Sequence, residues 1–154
     1  MFNLKHLVHE NMADLISAYE LHATEISENE VLLQSQTYFI DVIAEKDGVS
    51  MVYFDTSSKP ANGYNVFLFL FSKRRSSLVF LKNALPSGTF TEFVDAQLGL
   101  LAQHLRSAAR DILAGERGWM KEYSWPTVRP DENLLKTAES QRALKSEGTT
   151  LSVR

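Results

Sequence analysis

Four histidines, two aspartates set among apolar neighbours and three consecutive cations are the residues here whose types and spacing could do chemistry. His6 and His9 stand three apart with Glu10 beside them, so a helix would bring both imidazoles to neighbouring positions, the usual beginning of a zinc site. Such a site needs a third and a fourth ligand, and neither His22 nor His104 has a spacing that supplies one, so no metal is expected. Asp41 and Asp55 lie in or beside stretches of strand character, where loss of water would raise a carboxyl pKa toward acid–base use. A hairpin turning at Asp47-Gly48 sets them on opposite faces, so they are not expected to form a carboxylate pair. If the sheet and the second long helix enclosed a pocket, Tyr38, Asp41, Tyr53 and His104 would be the polar groups required to converge in it.

Other chemistries lack their motifs. There is no G-x-S-x-G elbow and no recognisable triad order, which disfavours nucleophilic hydrolysis. Neither a P-loop nor G-x-G-x-x-G occurs, and Gly115-Glu-Arg-Gly118 has no lysine, so no nucleotide cofactor, or any other, is expected. Lys73-Arg74-Arg75 adjoins Phe67, Phe69 and Phe71, a combination able to hold phosphates and stack on bases. On a strand, however, those three rings share one face with no polar residue among them, which suits a core, and the net charge of −3 repels phosphate. Nucleic acid is not an expected partner.

Two surfaces suit a protein partner. Glu10, Asp14, Glu20 and Glu25, with Glu28 and Glu30, give one helix and its exit an acidic side that could draw in a basic protein. Trp119, Tyr123 and Trp125 are of the aromatic types concentrated at interface hot spots. Each has a plain structural alternative: a solvated helix face for the first, an aromatic lid over the open end of the sheet for the second.

The elements that would position these residues follow from periodicity. Leu4, Leu7, Val8, Met12, Leu15, Ile16 and Tyr19 recur at three- and four-residue steps, predicting a helix over 3–23, with a turn in the acidic stretch 25–30. Residues 38–44 (YFIDVIA) read as a strand, and Asp47-Gly48 as a type I′ turn returning it through 49–55, with Val42 opposite Tyr53 and Asp41 opposite Phe54. Ile40, Val42 and Ala44 would then share with Met51 and Tyr53 the face that meets the helices. Residues 56–63 collect turn formers, 64–71 read as a strand covered on both faces, 72–77 as an exposed turn and 78–82 as a fourth strand. Thr89-Phe-Thr-Glu92 fits a capping box, and the stripe Phe90, Phe93, Val94, Leu98, Leu101, Leu105, Ala108, Ile112 and Leu113 carries a long helix to a stop at Gly115. The expected fold is therefore α+β: a four-stranded antiparallel meander flanked by an N-terminal and a long C-terminal amphipathic helix, in α-β-β-β-β-α order. Residues 1–130 form one domain in this reading, and 131–154 a weakly helical or disordered tail.

Composition agrees with one core. At 154 residues, 44% hydrophobic and 23% charged, the chain can bury enough apolar surface to order itself without a disulfide or metal. The absence of cysteine removes thiolate metal sites and a cysteine nucleophile, and makes a cytoplasmic location the expectation. Charged residues interrupt the N-terminal 15 as no signal peptide would be, and the longest apolar run, Val66 to Phe71, is far below the ~20 residues of a membrane span, so no membrane association is expected. Residues 1–72 carry a net −7 and residues 73–154 a net +4, an acidic front and a basic back.

In size and organisation the chain resembles the small cytoplasmic immunity proteins with which bacteria mask toxins, and Asp111-Ile-Leu-Ala-Gly-Glu-Arg-Gly-Trp119 resembles helix ends seen in them. That resemblance implies a non-enzymatic, protein-binding role: steric and electrostatic masking of a partner toxin. The alternatives are a secretion-chaperone-like homodimer with an exposed groove, a small-molecule-binding or enzymatic domain using the pocket named above, and an assembly subunit that oligomerises through residues 119–125.

Overall fold

The computed structural model describes residues 2–57, 61–77 and 88–153, with side chains left out at 77 and from 143 onward. It is an α+β arrangement built on a five-stranded antiparallel meander, β1 (His22–Ser27), β2 (Glu30–Gln34), β3 (Tyr38–Glu45), β4 (Gly48–Asp55) and β5 (Asn62–Asn65), in sequential order across the sheet. The helices are α1 (Leu4–Ala18), α2 (Val66–Lys73), α3 (Phe90–Ala108), the short α4 (Arg110–Leu113) and α5 (Glu132–Val153).

The first helix begins where Asn3 accepts a hydrogen bond from the His6 amide, and it ends earlier than its apolar period suggests. Glu20 takes a left-handed φ of 54°, the Leu21 amide donates back to the Ile16 carbonyl and the Glu20 amide to that of Ser17. That is a Schellman closure with glutamate where glycine is usual. The chain then enters β1, which pairs with β2 around Glu28-Asn29, so the predicted acidic turn is the tip of a hairpin absent from the sequence reading. In β1 only Ala23 is buried, leaving no apolar alternation to betray a strand. The Leu4 amide donates to the Glu28 carbonyl, tying the start of α1 to that tip.

The β3–β4 hairpin has the predicted faces but a register two residues from the predicted one: Val42 pairs with Met51 and Asp41 with Val52. Glu45 pairs with Gly48, so the loop is Lys46-Asp47 rather than Asp47-Gly48. The positive φ falls on Gly48 alone in this turn, at 139°. A side chain there would also collide with Gln97, whose side-chain Oε1 accepts the Val49 amide at 2.7 Å.

Residues 64–71 are not one strand. After β5 the Asn65 side chain accepts the Leu68 amide and starts α2, which buries Val66, Phe67, Phe69 and Leu70 and leaves Leu68 and Phe71 exposed. A run apolar at nearly every position carries no period, so the capping asparagine was the sole local signal for a helix. Of the three cations that follow, Arg74 is committed to the fold: it grips the Asp111 carboxylate through two bonds of 2.6 and 2.7 Å, donates to the Ala108 carbonyl and lies over the Phe69 ring. The predicted strand at 78–82 lies outside the described residues.

The capping box starts α3, with Thr89 accepting the Glu92 amide and its hydroxyl donating to the Glu92 carboxylate. The long helix breaks at Ala109, a turn and a half before Gly115 closes α4 at φ 84°.

One face of the sheet, including Val31, Leu33, Ile40, Val42, Met51 and Tyr53, packs against α1 (Leu4, Val8, Met12) and α3 (Val94, Leu98, Leu105) to form the main core. Where α1 kinks at Met12, Arg106 of α3 crosses to the Asn11 carbonyl and takes both oxygens of Asp14. The opposite face carries a second apolar cluster, Leu32, Phe39 and Phe54, which α5 covers with Leu134 and Ala138. Gln34 donates to the Ala138 carbonyl, and Arg142 to the Ser35 carbonyl, so the segment expected to be weakly helical or disordered is a helix whose described part docks on the outer face.

Candidate functional site

The outer face of the sheet alternates with the core face, so β3 points Phe39, Asp41 and Ile43 outward and β4 points Val52 and Phe54. Because α5 covers only the Gln34 side of that face, the other side stays open as a cleft of about 530 Å³. Its floor is Asp41, Ile43, Val52 and Phe54, its strand-side walls are Ile26 and Glu30, and its far wall runs from Val128 to Asp131 and along Asn133, Leu134 and Thr137 of α5. The far wall is held by a two-bond bridge between Gly63 and Val128. Glycine is required there, since a Cβ on Gly63 would stand 2.5 Å from the Phe54 ring and 2.6 Å from Val128.

Asp41 is the one carboxylate sunk into this floor. Its strand neighbours across the sheet are Leu32 and Val52, it is 6% exposed, and its Oδ1 has no hydrogen-bond partner among the described residues. Glu30 lies diagonally across β2, opposite Ile43, within reach for a long side chain. Burial, then the hydrogen bond and negative charge of Glu30, push the Asp41 carboxyl up to about 8. At neutral pH the pair therefore holds a proton, and the site can accept a hydrogen-bond donor or exchange that proton for a cation.

The other candidate residues are dispersed. Tyr38 and Tyr53 stack at 4.6 Å on the core face, where burial raises both phenols and the Tyr38 hydroxyl donates to the Leu113 carbonyl. Asp41 faces the other way, and His104 is buried on α3 against Phe67 and Phe71. The four do not converge. Asp55, on the core-face side of β4's end, is met by Arg117 at 2.6 Å and by the Ser57 amide and hydroxyl. It does not pair with Asp41, as expected, but Asp41 has a carboxylate neighbour after all in Glu30. Only pairing of β2 with β3 brings that glutamate near, and β2 was not legible as a strand.

On the acidic side, Glu10 lies 2.8 Å from His6, Asp14 is gripped by Arg106 and Glu20 closes the helix, while Glu25 is exposed on β1. The Arg106 hydrogen bond holds Asp14 below its usual carboxylate range. Trp119 is 2% exposed, ringed by Tyr53, Tyr64 and Phe69, with Tyr123 and Trp125 half-buried outward of it. The aromatic segment is thus largely a lid over the edge of the main core. Among the described residues no group of three or more potential ligands is disposed to hold a metal, and no helix is long and apolar enough to cross a membrane. Comparison of the chain with protein-family models, with characterised proteins and with solved structures gives no significant match.

Proposed function

We propose that this chain is a non-enzymatic protein-binding domain that engages its partner through the outer face of the sheet, at the cleft beside α5. The observation that carries the reading is the cleft itself: an apolar floor left open by the helix that covers the rest of that face, with a buried carboxyl set into it. Clefts of this size, apolar with a few polar groups, are common seats for a ligand or an inserted side chain. The acidic side of α1 supports the reading less than its sequence does, because the Asp14 carboxylate is held by Arg106. An immunity-type inhibitor masking a basic toxin is one form of this role, in line with the resemblance of residues 111–119.

Capture of partners from native lysate tests the proposal. Thr137→Trp, which fills the cleft without changing charge, is expected to lose a partner that Glu10→Lys retains. Capture equal in both variants, or none by the wild type, would defeat it. A second reading is favoured by one observation, the raised carboxyl of Asp41 in a cleft, which suits a general acid. It predicts turnover of some substrate that Asp41→Asn abolishes.

A further inference from the structure

We infer that the Asp41–Glu30 end of the cleft receives a lysine side chain of the partner protein, its ammonium against Asp41 and its stem along Ile43, Val52 and Phe54. The inference rests on the protein-binding reading and names the chemistry recognised. Asp41 is more than nine-tenths buried, lines the cleft and has an oxygen that no described residue satisfies. A buried acceptor in that state is unfavourable by itself and gains most from a donor brought by a ligand. Two carboxyls share the spot, and among the described residues neither forms a salt bridge with a cation. An ammonium on a four-carbon stem matches an acidic group set in an apolar floor, since the stem buries while the head is paired. Of the four charged residues lining the cleft among those described, Glu30, Asp41 and Asp131 are acidic and Arg129 is basic, so the local balance also favours a cation.

Among the described residues, the charged groups that line the cleft with Asp41 are Glu30 from β2 and, on the far wall, Arg129 and Asp131, while β4 and α5 contribute Val52, Phe54, Asn133, Leu134 and Thr137. As the ammonium enters, Asp41 releases its proton to solvent and the ion pair forms. Binding therefore strengthens with rising pH until the free site is itself ionised, near the raised value of about 8.

The test uses the full chain and two immobilised capped pentapeptide libraries, identical except for a fixed central lysine or a fixed central glutamine. Selective retention on the lysine library is expected, with affinity for its best members at least tenfold lower in Asp41→Asn and in Glu30→Gln. The same affinity should rise at least fivefold from pH 6.5 to 8.5. Glu30 is half-buried at the cleft wall, so Glu30→Gln keeps the test open should Asp41→Asn perturb folding. Equal retention on the two libraries, or lysine peptides bound unchanged by both variants, overturns the inference. So does butylammonium binding that matches the peptides' affinity, which would make a free amine the ligand. A lysate partner that needs the cleft but survives both substitutions overturns the lysine assignment and leaves the protein-binding reading standing.

Discussion

Asp41 shows how a single side chain departs from what its neighbours in sequence imply. Aspartate at the centre of a strand whose outward neighbours are Phe39 and Ile43 is unfavourable when ionised, and the structure leaves one of its oxygens unsatisfied among the described residues. Removing the charge while keeping the shape should help the fold. Asp41→Asn is expected to stabilise the protein by about 1–3 kcal/mol at pH 8 and to change it little at pH 4, where the native carboxyl is already neutral. Urea denaturation at the two pH values checks this, and equal effects at both would contradict the buried-carboxyl account. That Asp41 is polar among apolar residues was legible in the sequence, but the Glu30 beside it was not, because their proximity depends on a β2–β3 register.

Among the elements, the ends of helices and the edges of the sheet account for most differences between expectation and structure. The first helix stops at Ala18 because Glu20 adopts the left-handed conformation, which disfavours a Cβ by roughly 1–2 kcal/mol. Glu20→Gly should therefore raise stability by about 0.5–1 kcal/mol once glycine's greater unfolded-state freedom is subtracted, measurable as a higher denaturation midpoint at unchanged slope. The Thr89 cap is readable because its signal is local, whereas the Asn65 cap of α2 sits before an apolar run whose lack of period hides the helix. The last helix was legible only as one alternative, weak helix or disorder, because its few apolar residues matter only where Leu32, Phe39 and Phe54 wait on the sheet. Leu134→Asp is expected to detach α5, with hydrogen-exchange protection lost across 132–142 and retained in β3 and β4. Uniform loss of protection would show instead that α5 and the sheet unfold together.

For the molecule as a whole, the balance of carboxyl groups sets a pH profile. Asp41, raised in the folded state, contributes stability that is complete below its ordinary value and lost as pH rises toward about 8. Asp14 and Asp111 are lowered by hydrogen bonds from Arg106 and Arg74, so their contribution is present above the ordinary carboxylate value and lost as pH falls through their native ones. The two trends oppose each other, and for these three groups together stability is greatest on the acid side of the raised Asp41 value and above the native values of the two paired aspartates. Thermal unfolding across pH 3–9 should show a decline from that maximum toward pH 8 that Asp41→Asn flattens. A wild-type optimum at pH 7–8 would contradict it.

Sequence by itself determined the class of this protein, the position of its longest amphipathic helix and the face of β3–β4 that enters the core, since these follow from local caps and from periods of 3.6 and 2. Tertiary structure decided the rest. It made a strand of residues 22–27 by offering β2 as a partner, turned Trp119 inward beneath Tyr64, spent Asp14 on Arg106, and laid α5 over part of an apolar face. Such outcomes turn on contacts between residues far apart in the chain. The cleft that results, with Asp41 and Glu30 side by side, belongs wholly to that second kind of information.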